Sequence, residues 1–100
     1  VQGVEADEGG GTDLEPADRS HLLHVVLAVE AQLRELMHPA KINLASFGNQ
    51  VPHLHWHVIP RFADDAHFPD PVWAPRKRKS PPRDIDVFRL AQGLAAKLSA

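Results

Sequence analysis

The chain has 100 residues and a formal net charge of −2, and hydrophobic residues make up 43% of it. A chain of this length forms one small domain, and its near-neutral charge does not create the broad positive field that long nucleic acids require. It has no cysteine and no apolar run near the ~20 residues that a bilayer-spanning helix needs. We therefore expect a soluble, cytoplasmic protein that binds neither a membrane nor long nucleic acid.

The N-terminal part of the sequence changes character at Pro16. Residues 1–12 combine acidic side chains with three consecutive glycines, so we expect a flexible arm with little to bury. Pro16 suits the first turn of a helix, and Pro39 ends the pattern that follows it. Between them, apolar residues recur at spacings of three and four: Leu22, Val26, Val29, Leu33 and Leu36. This spacing predicts an amphipathic helix from Pro16 to about Met37.

Two short segments after this helix have the pattern of an antiparallel hairpin. Residues 41–45 predict one strand, the Gly-Asn-Gln sequence at 48–50 predicts a turn, and residues 51–60 predict a second strand. Alternation along the second strand places three histidines, His53, His55 and His57, on one face. Leu54, Trp56 and Val58 then lie on the other face, toward the core and the helix.

The C-terminal third begins with many prolines and ends in a second helical pattern. Residues 62–83 contain too many prolines for a regular element. Asp84 or Asp86 can cap a last helix that ends near Ser99, in which Gly93 is a weak point. Together the elements predict an α+β fold: a small antiparallel sheet, one long helix packed on it, and a C-terminal helix.

The row of histidines is the feature that indicates chemistry. Alternate residues of a strand place successive imidazoles about 6.5 to 7 Å apart on one face. Near neutral pH, an imidazole can be a nucleophile, a proton donor or a hydrogen-bond relay. A row of three can therefore divide these roles.

Residues 48–61, GNQVPHLHWHVIPR, resemble the signature of the histidine triad (HIT) superfamily. That signature is His-φ-His-φ-His-φ-φ, where φ is apolar, and every position from His53 to Ile59 agrees with it. The upstream glycine-amide pair and Val51 fit as well. Residues 62–73 resemble the bacterial branch of the family, which includes diadenosine polyphosphate hydrolases.

The resemblance implies a reaction and a set of site residues. His55 would attack the α-phosphorus of a nucleoside phosphoramidate or dinucleoside polyphosphate, and water would then hydrolyse the nucleotidyl-histidine. His57 would hydrogen-bond the phosphate or leaving group, and His53 would orient the row. Three residues would donate hydrogen bonds to phosphate oxygens: Asn49, Asn43 and Gln50. The resemblance implies no metal or other cofactor, and it implies a homodimer.

The resemblance also sets expectations about domain organisation. The family's domain normally has further strands before its first conserved helix, and these carry the nucleoside pocket and a fourth histidine. Residues 1–12 do not supply them. We therefore expect the HIT-like domain, residues 13–75, to be incomplete, with the remainder absent or supplied by a partner. Residues 76–100 would form a basic, proline-rich loop and the C-terminal helix.

Two other functions remain open from the sequence. One is a truncated, non-catalytic family member that acts as a dimerisation or binding module. The other is a metal-dependent hydrolase, because His-x-His on a strand provides two ligands, from His53 and His55 or from His55 and His57. The third ligand would then come from one of three nearby residues, Asp64, Asp65 or His67.

Overall fold

A computed structural model describes residues 9–46 and 54–99 of the chain. A 3-10 turn at Gly11–Asp13 is followed by helix α1 (Pro16–Met37), strand β1 (Lys41–Ala45), strand β2 (His57–Arg61) and helix α2 (Val87–Leu98). The two strands pair in antiparallel fashion. The predicted α+β architecture is confirmed, and the long helix and first strand have the predicted bounds.

Helix α1 begins and ends at residues that local hydrogen bonds stabilise. Arg19 Nε donates to the Leu14 carbonyl over 2.9 Å, which holds the incoming chain against the first turn. At the other end, His38 adopts a left-handed conformation with φ 49°, and its N–H donates to the Arg34 carbonyl over 3.1 Å. This is a standard way to end a helix, and Pro39 prevents its continuation.

The second strand is shorter than the sequence predicts. We predicted a strand over residues 51–60, but β2 begins at His57 and residues 54–56 form no regular element; residues 51–53 lie outside the described part. The two strands end together on this side, since Ala45, the last residue of β1, pairs with His57, the first residue of β2. His55 therefore lies just before the ladder, where its carbonyl accepts from Ser46 Oγ over 3.1 Å.

The core lies where α1 meets β2 and α2. Its buried apolar side chains come from α1, from the residues just before it and from the loop after β2: Leu14, Val26, Ala28, Leu33 and Ala66. Within the described residues, none of the helices has the length and hydropathy needed to cross a membrane.

Helix α2 follows the proline-rich segment, has its own N-terminal cap and packs against α1. The Asp86 carboxylate accepts from the Arg89 N–H over 3.1 Å, which selects Asp86 as the cap. Lys97 Nζ lies 2.9 Å from Glu35 Oε1 on α1. A Cβ atom on Gly93 would collide with the side-chain amide of Gln32 on α1. The glycine that weakens α2 locally therefore leaves room for the buried Gln32 side chain between the two helices.

Substitution of Gly93 tests this packing. Alanine favours an isolated helix by about 1 kcal/mol, but here it must displace the Gln32 side chain, which is only 5% exposed. We expect Gly93→Ala to lower the free energy of unfolding by about 1 to 2 kcal/mol, measured by urea denaturation. In a Gln32→Ala background the same substitution should be neutral or stabilising. A Gly93→Ala protein more stable than wild type would show that the approach is not tight.

Candidate functional site

The histidine-bearing face of the hairpin also carries an asparagine and an arginine. Residues directly opposite each other in an antiparallel ladder project to the same side. Asn43 is opposite Ile59, so it lies diagonally between His57 and Arg61 on one face of the sheet. The strands therefore place an amide between an imidazole and a guanidinium.

His55 and His57 form a close pair of imidazoles at one end of this face. Their ring centroids are 5.3 Å apart and the ring planes meet at 71°, an edge-to-face arrangement. Both residues are half-buried. Two adjacent imidazoles can divide nucleophilic attack and proton donation between them.

Arg61 is the most completely buried charged residue of the described chain, with a side chain 3% exposed. Its Nε and Nη2 donate to the two Asp65 carboxylate oxygens over 2.9 and 3.1 Å. Nη2 also donates to the Asp70 carbonyl over 2.6 Å, and Nη1 donates to Asn43 Oδ1 over 2.7 Å. The guanidinium also lies 5.6 Å from the centre of the Phe68 ring. Arg61 thus joins both strands to the loop that follows them.

Asp65 organises that loop. Besides pairing with Arg61, its carboxylate accepts from the backbone N–H groups of Phe62, His67 and Phe68 over 3.0, 3.0 and 2.7 Å. The Arg61 guanidinium is the main reason that the pKa of this carboxyl lies far below its ordinary value of 3.8. The backbone donors act in the same direction, and together they outweigh partial burial, which opposes them.

A cleft of about 420 Å³ opens beside this face, between the hairpin and the loop. Its volume is within the range usual for small-molecule sites. Asn43 and Arg61 provide its polar groups, and the apolar lining comes from the strands and from the loop: Ile42, Leu44, Ala45, Ile59, Pro69, Pro71, Val72 and Trp73. Ile59, the first residue of β2 in the cleft lining, lies two residues after His57 on the same face of the strand.

The structure describes only part of the predicted site. It brings His55, His57 and Asn43 to one region of the hairpin, whereas the other three candidates lie outside the described residues: His53, Asn49 and Gln50. Sequence analysis did not identify Arg61 as part of this region. The sequence contained one signal for it, the spacing of four residues between Arg61 and Asp65, but this spacing does not show that the ion pair is buried.

Two of the candidate third metal ligands pair with arginines. Asp65 binds Arg61, and Asp64 forms an ion pair with Arg83. Across residues 9–46 and 54–99, no cluster of three or more histidine and acidic side chains is arranged to hold a metal ion.

A model of the HIT domain matches residues 10–64. The chain belongs to the HIT family. This is a family of nucleotide-binding hydrolases and transferases. No protein of curated function gave a significant match.

Solved structures of three bacterial histidine triad proteins are similar to the chain. The proteins of Bradyrhizobium japonicum and Sinorhizobium meliloti are 28% and 30% identical, with TM-scores of 0.65 and 0.64. Each match covers 95% of this chain, and 68% and 67% of the respective structures. The protein of Marinobacter aquaeolei is 33% identical with a TM-score of 0.63, over 98% of this chain and 65% of that structure. The chain therefore spans about two thirds of the length of these HIT proteins.

The Arg61–Asp65 pair predicts an acid-sensitive fold. Asp65→Asn leaves a buried guanidinium without its counter-ion, and we expect a loss of roughly 3 kcal/mol in the free energy of unfolding at neutral pH. In wild type the pair stabilises the fold above the pKa of Asp65 in the unfolded chain. That stabilisation is lost as the pH falls from about 5 toward 2, because the native carboxylate must then be protonated. The Asp65→Asn variant should show a flatter pH dependence, measured by urea denaturation.

Asp64→Asn is the matched control for this experiment, because Asp64 is exposed and pairs with Arg83 on the surface. Exposed pairs contribute at most about 1 kcal/mol. Equal losses in the two variants, with the same pH dependence as wild type, would contradict a stabilising role for the buried pair.

Proposed function

We propose that the protein is a nucleotidyl hydrolase or transferase that cleaves the bond between the α-phosphorus of a nucleotide and its leaving group. The observation that carries this proposal is the edge-to-face pair of His55 and His57 in a chain of the HIT family. Nucleoside phosphoramidates and dinucleoside polyphosphates are the proposed substrates, in keeping with the resemblance to diadenosine polyphosphate hydrolases.

The proposed reaction has two steps, in which the two histidines have different roles. A ring nitrogen of His55 attacks the α-phosphorus, the bond to the amine or phosphate leaving group breaks, and a nucleotidyl-histidine forms. His57 hydrogen-bonds the leaving group and supplies the proton it takes as it departs. Water then attacks the phosphorus and gives a proton back to His57, the phosphorus–nitrogen bond breaks, and the nucleoside monophosphate and His55 are released.

Groups beside the histidines support these steps. The Asn43 amide stabilises charge as it develops on the phosphate oxygens. Three further assignments come from the family resemblance, with His53 orienting the row and Asn49 and Gln50 adding donors. The apolar walls of the cleft suit the organic part of the substrate, whose binding energy helps to orient the phosphorus.

We propose further that the protein acts as a homodimer. Among the described residues the sheet has two strands, so each strand has one edge without a partner strand. Unpaired strand edges tend to associate with other strands. A second copy of the chain could pair with such an edge, and the family resemblance also implies a homodimer.

Removal of the nucleophile tests the reaction directly. We expect His55→Ala to lower the turnover of adenosine phosphoramidate and diadenosine tetraphosphate at least about a thousandfold, as loss of a covalent nucleophile does in other enzymes. His24→Ala is the matched control, because His24 is exposed on α1, and it should leave turnover unchanged. A His55→Ala protein with wild-type turnover would exclude His55 as the nucleophile.

Two measurements separate the proposal from the other functions. Rapid quenching of wild type with labelled substrate should trap an acid-labile nucleotidyl-histidine that is absent from His55→Ala. A chelator should leave turnover unchanged, whereas a metal-dependent hydrolase would lose activity. A wild-type protein that binds nucleotide but does not turn it over would instead be a binding module.

A further inference from the structure

Asn43 occupies the position where the buried arginine meets the histidine end of the hairpin. It lies diagonally across the ladder from both Arg61 and His57. Arg61 Nη1 donates to Asn43 Oδ1 over 2.7 Å, and within the described chain this is the one side-chain hydrogen bond that Asn43 makes. A guanidinium has donors and no acceptor, so the amide atom that faces Arg61 must be the oxygen. The amide nitrogen, Nδ2, therefore points away from Arg61.

Arg61 is held too firmly to reach a ligand itself. Four of the five guanidinium N–H groups are used in bonds to Asp65, Asp70 and Asn43. Its charge is offset by the carboxylate of Asp65, and its side chain is 3% exposed. Whatever Arg61 contributes to the cleft must therefore act through its neighbours, and Asn43 is the neighbour that shares the cleft lining with it.

We infer that Arg61 is a positioning residue that holds the Asn43 carboxamide with its oxygen inward, so that Nδ2 donates to an anionic phosphate oxygen bound beside His57. The inference rests on the proposed function, which places a nucleotide phosphate there. The two ends of a carboxamide are nearly equal in size, so without Arg61 the group can rotate and present its oxygen to the phosphate. Lone pairs would then face a negative charge, and the stabilising donor would be lost.

A double-mutant cycle tests whether Arg61 acts through Asn43. Asn43→Ala should lower kcat/KM for adenosine phosphoramidate about a hundredfold, and Arg61→Lys should lower it about tenfold through loss of orientation. In the double variant, kcat/KM should be no more than about twofold lower than in Asn43→Ala, because the amide that Arg61 positions is absent. Losses that multiply to about a thousandfold would show that Arg61 acts independently, and the inference would be wrong.

Arg78→Lys is the matched control for the cycle. Arg78 Nη1 donates to the carbonyls of Asp65 and Phe68 in the same cluster but makes no bond to Asn43. We expect wild-type kcat/KM in this variant. A tenfold loss in Arg78→Lys as well would mean that any disturbance of the loop impairs the site, which would contradict a specific role for Arg61.

Asn43→Asp keeps the inference testable if Arg61→Lys does not fold. An aspartate at 43 still accepts from Arg61 and maintains the fold, but it has no N–H to donate. We expect a Tm at or above that of wild type with kcat/KM at least about a hundredfold lower. Wild-type turnover in Asn43→Asp would show that Asn43 serves only as an acceptor for Arg61.

An NMR titration with AMP provides a readout that does not depend on turnover. The Asn43 side-chain NH₂ signals, identified by their loss in Asn43→Ala, should shift on addition of AMP in wild type and in Arg78→Lys. The shift should be smaller in Arg61→Lys. If AMP shifts these signals but no substrate is turned over, the proposed reaction fails while the inferred orientation stands. Turnover without any shift would overturn the inference.

Discussion

The structure of the site depends on one buried cation. Arg61 loses its hydration at the end of β2, and an uncompensated ion in that position would cost several kcal/mol. Its acceptors come from three different parts of the chain: the carboxylate of Asp65, the carbonyl of Asp70 and the amide oxygen of Asn43. Satisfying one guanidinium therefore brings β1, β2 and the following loop into a single arrangement.

The loop that bounds the cleft is organised mainly by polar contacts. Asp65 accepts from three backbone N–H groups of residues 62–68, and Arg78 donates to two carbonyls in the same region. Prolines restrict the backbone further and remove donors that would otherwise need partners. Of this loop, only Ala66 joins the buried apolar core. The wall of the cleft thus depends on the same ion pair that holds Asn43.

Local signals in the sequence were sufficient for most of the fold. Pro16 and Pro39 act on their immediate neighbours, so both ends of α1 could be predicted from residues within one turn, whereas Asp84 and Asp86 remained alternative caps for α2. The start of β2 could not be predicted in this way, because it depends on which residues of the two strands pair, and Ala45 and His57 are 12 residues apart in the chain. The burial of Arg61 was missed for a related reason: its acceptors lie 4, 9 and 18 residues away, and only the folded hairpin and loop bring them together.

The two described histidines are held in different ways, although they belong to one alternating segment. His57 lies in the ladder opposite Ala45, so its backbone is fixed by strand pairing. His55 lies outside the ladder and is held by Ser46 Oγ at its carbonyl and by ring contact with His57. Catalysis by two side chains requires that both are held in a defined orientation to the reacting atoms. The end of the ladder therefore falls between the two histidines: strand pairing fixes the proposed proton donor, His57, whereas the proposed nucleophile, His55, is positioned by contacts with Ser46 and His57.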